Sequence, residues 1–431
     1  MCSRRWKTSP RSGLGPGRSA CDARRGPAKR ARKEAVVIGD GWDGEPSVRP
    51  GEFTGDAPGR AMRVMAVTGS RADFGLLTPV MRAIEAHPAL DLLVVAAGSH
   101  LVMPALTFRD VKAEFPVSDS VPMQVAGRVG RAEDVEAVGV GVGRFGRSMQ
   151  RLNPDWVVVL GDRIEAFAAA TAASIGGRAL AHIHGGDRAE GVADEAMRHA
   201  ITKLAHLHLA ATEASAQRII RMGEKPELVR VIGSPAVDGL SEIEPLSDSE
   251  FKSLGEPEAL VLMHPIGRHP EEEEHAGSAV FEALGGRRVL ALWPNFDPGR
   301  QGTLRAIHQA GVKSREHLPR VVFLGLLKKL AGAGGVLVGN SSAALIEAAA
   351  VGLPAVDVGQ RQAGRERAGN VVHAERETPD SIREAVDAAL RLDRASFTHP
   401  YGPGDAGRRA AEALASVDPR SPALIRKRCV Y

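Results

Sequence analysis

From residue 62 onward, short apolar runs alternate with longer stretches in which apolar positions recur every three or four residues. Continuous apolar runs suit strands buried on both faces of a parallel sheet, and the longer period suits amphipathic helices. The pattern predicts strands near 63–68, 91–97, 156–161, 178–184, 207–211 and 228–232, then restarts with strands near 259–263, 288–292, 321–323, 335–338 and 354–358. Strand and helix in alternation give parallel sheets joined by right-handed crossovers, so the fold class is α/β with two such sheets. A first Rossmann-like domain is expected over 62–237 and a second over 238–400, with the Pro-, Ser- and Glu-bearing stretch 235–257 as the hinge region. After a Gly-Pro-Gly break at 402–404 comes an amphipathic stretch at 405–416, read with its flanks as a C-terminal helix and tail over 401–431. A ligand is expected in the cleft between the two domains.

The first 61 residues follow neither period. Between positions 1 and 34 there are eleven Lys or Arg against two acids, mixed with Gly, Pro and Ser. Burial in such a segment cannot offset the entropy of ordering it, so a disordered basic extension is expected. One reading makes it an arm for nucleic acid or an acidic partner; the plainer one is translation from an upstream start, because Met62 directly precedes the first strand pattern. It lacks the long apolar core of a secretory signal. The chain as a whole carries +4, but beyond residue 34 acids outnumber bases by 50 to 45, so no nucleic-acid partner is expected of the folded part. Cys2, Cys21 and Cys429 all lie near the termini, which argues against a disulfide framework or a thiolate metal site and for a cytoplasmic location. No apolar run approaches the roughly 20 residues that span a bilayer, so no membrane partner is expected either.

The chemistry concentrates at 160–204. The buried-strand pattern at 156–160 ends in Gly161, Asp162 and Arg163; the next ends in the run H-I-H-G-G-D at 182–187; a helix pattern carrying Asp194, Glu195, Arg198 and His199 follows. In doubly wound sheets ligands bind outside the carboxyl ends of the strands, so both loops fall on one rim. Acids, imidazoles and cations gathered there read as a reaction site.

Two further loops read as anion sites. Ser70-Arg71-Ala72-Asp73 follows the first strand; it lacks G-x-G-x-x-G and so predicts no nicotinamide cofactor, but an Arg in a turn before a helix suits an anion. The bland alternative pairs Arg71 with Asp73. In the second half Gly339-Asn340-Ser341-Ser342 reads as a tight turn before a helix whose first acid is Glu347, a cradle for phosphate with a carboxylate for ribose hydroxyls; the alternative is an ordinary cap by Asn340 or Ser341 and a surface acid. Arg361 and Arg365 lie in the loop after the next strand, and two such loops on one rim favour a diphosphate.

With S-R-A-D-F-G at 70–75, G-D-R at 161–163, H-I-H-G-G-D at 182–187, R-H-A-I-T-K-L at 198–204, H-P at 264–265, W-P-N-F-D-P-G at 293–299, G-N-S-S at 339–342 and R-Q-x-G-R-E at 361–366 in the same order, the chain resembles the hydrolysing UDP-N-acetylglucosamine 2-epimerases, including bacterial sialic-acid and legionaminic-acid pathway members and the epimerase domain of the animal bifunctional enzyme. The resemblance covers 62 to about 414. It implies two Rossmann-like domains facing each other across a cleft as in the B-type glycosyltransferases, a UDP-sugar substrate held mainly by the second domain, a homo-oligomer, and no cofactor or catalytic metal. It also implies elimination of UDP to a 2-acetamidoglucal, then hydration to an N-acetylmannosamine-type sugar. By position Asp162 matches a catalytic carboxylate, and Asp194 and Glu195 fall where further essential acids occur. Arg71, Arg163, Ser341, Ser342 and Arg361 match phosphate-side contacts, Glu347 the ribose contact and His264 a cleft histidine.

Two departures bear on mechanism. His184 stands where several members place a catalytic glutamate, with Asp187 three residues on, so either the imidazole or Asp187 moves the proton, or His184 only orients Asp162. Gly75 replaces a small hydroxyl residue of some relatives. A retaining glycosyltransferase on the same scaffold and a non-catalytic UDP-sugar binding protein are the competing readings; UDP release without an acceptor separates the first from an epimerase, and the acids at 162, 194 and 195 argue against the second.

Overall fold

The computed structural model describes residues 60–103, 106–128, 130–189, 194–295 and 297–430, with the side chain of Asp194 outside that set. The basic extension inferred for 1–61 lies almost wholly outside the described residues. Thirteen strands run through the described chain: β1 Met62–Thr68, β2 Leu90–Ala97, β3 Val117–Val121, β4 Trp156–Leu160, β5 Ala179–Ile183, β6 Leu207–Ala210, β7 Val229–Val231, β8 Ala259–Leu262, β9 Val289–Leu292, β10 Lys313–Arg315, β11 Val336–Gly339, β12 Ala355–Val358 and β13 Val371–Ala374. They form a seven-stranded sheet ordered β3-β2-β1-β4-β5-β6-β7 and a six-stranded sheet ordered β10-β9-β8-β11-β12-β13. Every pairing is parallel, as in Met62↔Leu90 and Trp156↔Ala179. The two-sheet α/β architecture is the expected one.

The differences have physical causes. β3 reads V-S-D-S-V and β10 reads K-S-R: both are edge strands with exposed positions, so neither shows a buried apolar run. β13 is the opposite edge of the second sheet and is only partly buried. The apolar run 321–323 is not a strand; it lies in helix Arg320–Gly332, whose buried Leu324, Leu327 and Leu330 continue it at helical spacing while Val321 is exposed. Periodicity over three residues cannot separate these cases.

Central strands β4, β5, β8 and β11 are buried along their whole length, so alternate residues feed cores on opposite faces: Val64, Trp156 and Val158 on one, Met65, Val157 and Val159 on the other. Each such side chain stabilises by about 1.5–3 kcal/mol when fully buried. Helix Arg71–Ala86 covers the first face with Phe74, Leu77, Met81 and Ile84 at helical spacing, and its start is fixed by a reciprocal cap between Ser70 and Asp73. Among the described residues no helix is long and apolar enough to cross a membrane.

The chain crosses between the sheets twice, side by side. After β7 the outgoing segment passes the returning one at Gly233 and Gly402, where Ser234 N donates to Tyr401 O at 2.9 Å and a Cβ on Gly233 would sit 2.8 Å from that oxygen. The returning chain ends in helix Ala406–Ser416, which packs back on helix Arg71–Ala86. Asp238, on the outgoing crossing, caps that helix by accepting from Ala406 N at 2.9 Å and Gly407 N at 2.6 Å. A side chain at Gly407 would meet Pro79 O at 2.5 Å, whereas Gly143, on an exposed turn of helix Arg131–Leu152, faces open space. Gly407→Ala is therefore expected to lose about 1–3 kcal/mol by overpacking, and Gly143→Ala to gain up to about 1 kcal/mol from helix propensity. Urea unfolding of the two variants beside the parent checks the opposite signs.

Candidate active site

Strand order reverses between β1 and β4 in the first sheet and between β8 and β11 in the second. Crevices at such reversals are where open α/β sheets bind ligands. The loops after these four strands carry Arg71, Asp162 with Arg163, His264, and Asn340 to Ser342, so most of the residues singled out in the sequence flank the two reversals.

On the first rim β4 is followed by Gly161, whose positive φ of 73° turns the chain sharply and presents Asp162. Asp162 forms an ion pair with Arg198, from helix Asp194–Leu204, and Arg198 also donates to Asp187 O at 3.0 Å. Glu195, one turn earlier, accepts from Ala189 N at 2.6 Å and lies 3.2 Å from His199 and 3.7 Å from Arg198. Burial, then the nearby charges of Arg365 and Arg361, push the Arg198 pKa down to about 9. The side chain of Asp194 lies outside the described set.

β5 is followed by His184, which adopts a left-handed φ of 63°, an uncommon conformation for a residue with a Cβ. Strain of this kind concentrates at functional sites. The next turn requires Gly186, since a Cβ there would lie 2.3 Å from Ser215 O. His184 is held on both ring nitrogens: Nδ1 is 2.8 Å from Asp187 and Nε2 is 3.1 Å from the Ser234 hydroxyl. Because Asp187 is a carboxylate, Nδ1 carries a proton and donates to it, while Nε2 shares a hydrogen bond with the Ser234 hydroxyl. Asp187 also accepts from Ser215 at 2.8 Å and, from the other side of the cleft, from Arg365 at 2.7 Å. Burial alone would raise its pKa, but His184, Arg365 and the Ser215 hydroxyl outweigh that and hold the carboxyl well below the usual range.

The second rim is organised by Asn340 rather than capped by it. Its side chain accepts from His264 N at 2.7 Å and donates to His264 O at 2.8 Å, clasping the loop after β8, while its carbonyl accepts from Arg361 at 3.2 Å and Gln362 at 3.0 Å. The Ser341 hydroxyl caps a short turn at Ser342–Ala344, and Glu347 opens a second one, Glu347–Ala350, so the single helix expected here is two short pieces. Glu347 is buried, not a surface acid; burial raises its pKa against the opposing charge of Arg320. Arg320 in turn donates to Ala236 O at 2.6 Å.

Arg71 does not pair with Asp73, whose oxygens accept from Gly69 N at 2.8 Å and Ser70 N at 2.7 Å. Its Nε is buried and has no hydrogen-bond partner among the described residues. Across the cleft, His317 is pushed down to about 4, by burial first and by the charge of Arg71 next. A cavity of about 280 Å³ runs between the rims, touching Arg163, Met197 and Ile164 on one side and Pro265, Asp297 and Arg361 on the other. Asp162, His184, Asp187 and Glu195 thus form one connected group through Arg198; of the described residues singled out in the sequence, Arg163 and Arg361 line the cavity, whereas that group, Arg71, His264, Ser341, Ser342 and Glu347 do not.

Residues 82–415 match the family model described as UDP-N-acetylglucosamine 2-epimerase. The chain belongs to the UDP-N-acetylglucosamine 2-epimerase family. It is 32% identical over 375 residues to the UDP-N,N'-diacetylbacillosamine 2-epimerase (hydrolyzing) of Legionella pneumophila, covering 84% of this chain and 98% of the relative. It is 30% identical over 374 residues to a UDP-N-acetylglucosamine 2-epimerase of Neisseria meningitidis serogroup B, covering 82% and 94%. The fold matches a Neisseria meningitidis UDP-GlcNAc 2-epimerase solved with UDP-GlcNAc bound, at a TM-score of 0.70 and 19% identity over 83% of this chain and all of that one. The Methanocaldococcus jannaschii enzyme solved with UDP-GlcNAc and UDP matches at 0.69 and 18%, again over 83% of this chain and all of the other. The epimerase fold of these neighbours is GT-B-like, as the sequence implied.

Sequence reasoning missed Ser215 and Ser234 as partners of the His184–Asp187 pair. Ser234 stands before Pro235 at the end of β7, where a lone Ser-Pro reads as turn punctuation. One consequence of the second rim's packing can be measured. Burial, then Arg361, pushes the His264 pKa down to about 3, and its Nδ1 accepts from Asn295 N at 3.2 Å, so the ring is neutral wherever the protein is folded at ordinary pH. The His264 imidazole resonance, assigned by His264→Asn, should not move between about pH 5 and 8; a midpoint near the unperturbed value of about 6.5 would contradict this packing.

Proposed function

We propose that this family member is a hydrolysing UDP-sugar 2-epimerase, which eliminates UDP from a UDP-N-acetylglucosamine-type substrate and hydrates the resulting 2-acetamidoglucal with the opposite C2 configuration. The observation that carries the proposal is the half-buried group in which Arg198 joins Asp162 to Glu195 and Asp187, opposite a second rim bearing His264, Ser341, Ser342 and Arg361. Taking the unactivated C2 proton needs a carboxylate or imidazole base, and releasing a diphosphate needs fixed cations and hydroxyls; the first rim offers the bases, and cations come from both rims with hydroxyls from the second. Asp162 is the group proposed to act on the sugar, with Glu195 and, by position, Asp194 as further acids. Arg71, Arg163, Ser341, Ser342 and Arg361 are assigned to the phosphates and Glu347 to the ribose.

The geometry favours His184 over Asp187 for proton transfer. Asp187 already accepts from three partners and is held strongly ionised, which suits an orienting group; His184 has its Nε2 on a hydroxyl that can pass a proton. The relatives named above act on UDP-N-acetylglucosamine in one case and UDP-N,N'-diacetylbacillosamine in the other, so the product is N-acetylmannosamine or its 2,4-diacetamido-6-deoxy analogue. Either would feed nonulosonic (sialic or legionaminic) acid synthesis, and on the same reading the enzyme works in the cytoplasm as a homo-oligomer without a cofactor.

Incubation with each UDP-sugar and no acceptor should release UDP and a C2-inverted sugar identifiable by NMR. Dependence of UDP release on an added acceptor would move the assignment to a glycosyltransferase. Asp162→Asn should nearly abolish turnover, His184→Gln should lower kcat roughly 10²- to 10⁴-fold, and Asp187→Asn should be the mildest of the three in kcat. If Asp187→Asn falls below His184→Gln at saturating substrate, Asp187 is the proton-transfer group instead.

A further inference from the structure

The last thirteen described residues lie far from the cleft, on the side of the first sheet where the strands begin. Arg420 donates to Asp155, just before β4, at 2.8 Å; Leu424 is buried in the first core; and Val430 N donates to Gly223 O at 2.9 Å. Between these anchors Lys427 turns inward. Its ammonium donates to the carbonyls of Thr202 at 3.2 Å, Lys203 at 2.7 Å and Ala205 at 2.5 Å. These are among the carbonyls that helix Asp194–Leu204 leaves without intrahelical partners at its carboxyl end. A cation there also meets the negative end of the helix dipole.

The contact is built, not incidental. Lys427 is mostly buried and lies 2.7 Å from Glu224, whose side chain is only 3% exposed. Glu224 is shared with Lys203 at 2.6 Å and His208 at 3.1 Å, so one buried carboxylate ties the tail, the end of the helix and β6 together. Burial would raise the Glu224 pKa, but His208, Lys203 and Lys427 bring it down to about 2, which keeps this carboxylate ionised at ordinary pH.

The same helix carries Glu195 and Arg198 toward the cleft at its other end. We propose that the C-terminal tail is part of the active-site scaffold, with Lys427 as a positioning residue that anchors helix Asp194–Leu204 by its carboxyl end so that Arg198 and Glu195 meet Asp162. The proposal rests on the catalytic reading of that group given above. Lys427 touches neither substrate nor the reacting atoms; it acts through the register of the helix.

The test uses the full chain carrying Lys427→Met, Lys427→Arg or Arg428→Ala, the last an exposed neighbour. Three quantities are read: steady-state turnover of the UDP-sugar, UDP affinity by calorimetry, and amide exchange over 199–206 by mass spectrometry. Lys427→Met should lower kcat roughly 10- to 100-fold, the scale of a sub-ångström to 1 Å misplacement, with UDP affinity unchanged because neither Arg198 nor Glu195 is assigned to the nucleotide. Exchange at 199–206 should speed up. Lys427→Arg should restore both, and Arg428→Ala should change neither. Unchanged kcat in Lys427→Met, unchanged exchange, or a parallel fall in UDP affinity would each overturn the proposal. A parent enzyme with no turnover of any UDP-sugar would instead overturn the catalytic reading, while the exchange data would still report whether Lys427 holds the helix.

Discussion

Arg365 reaches from the second rim to bring its guanidinium 2.7 Å from Asp187 on the first, with the two side chains 10% and 2% exposed. A pair this dry contributes little net stability, because desolvation offsets the attraction, but removing one partner leaves a buried charge at a cost of about 3–5 kcal/mol. The contact therefore acts as a constraint: it permits one mutual placement of the two rims. The ion pair of Arg218 with Glu366 repeats the device, and the Tyr401 hydroxyl, on the returning crossing, fixes the Glu366 carbonyl at 2.7 Å. Because Asp187 also holds His184, the second sheet takes part in orienting an imidazole that belongs to the first.

The same closeness shapes the electrostatics. Arg198, Arg361 and Arg365 lie near enough that the last two depress the first, even though Asp162 pairs with it. Of these, Arg361, held on the second rim by the Asn340 carbonyl, is a fixed cation of the kind a departing diphosphate requires. Glycine supplies the clearance: at Gly339 a Cβ would lie 2.1 Å from Leu262 O, so β8 and β11 can bring His264 and Asn340 together only with hydrogen at that position.

Much of this was legible in the chain because both sheets are buried on both faces. Central strands such as 156–160 and 336–339 announce themselves as apolar runs, and the polar residues that interrupt them stand out as site candidates. Edge strands do not, which is why K-S-R at 313–315 escaped notice, and a three-residue apolar run at 321–323 looked like a strand although it begins a helix. Asp162, His184 and Asp187 stand out as candidates from type and spacing, and the structure links them through Arg198. Ser215 and Ser234 do not stand out, since a hydroxyl acquires its role only from a partner 28 or 50 residues away in sequence. The role of Asn340 was likewise hidden: its letter is compatible with a helix cap, and only the approach of β8 turns it into a clasp on His264.

The central claim is that the cleft breaks the C2–H bond and lets solvent return the proton on the opposite face. Turnover in deuterium oxide measures this directly. The proton lost to an exchangeable base is replaced from solvent during hydration, so the released sugar should carry deuterium at C2 with the C2 configuration inverted, both visible by NMR. Product that retains protium at C2 would contradict the elimination and, with it, the roles assigned to Asp162 and His184.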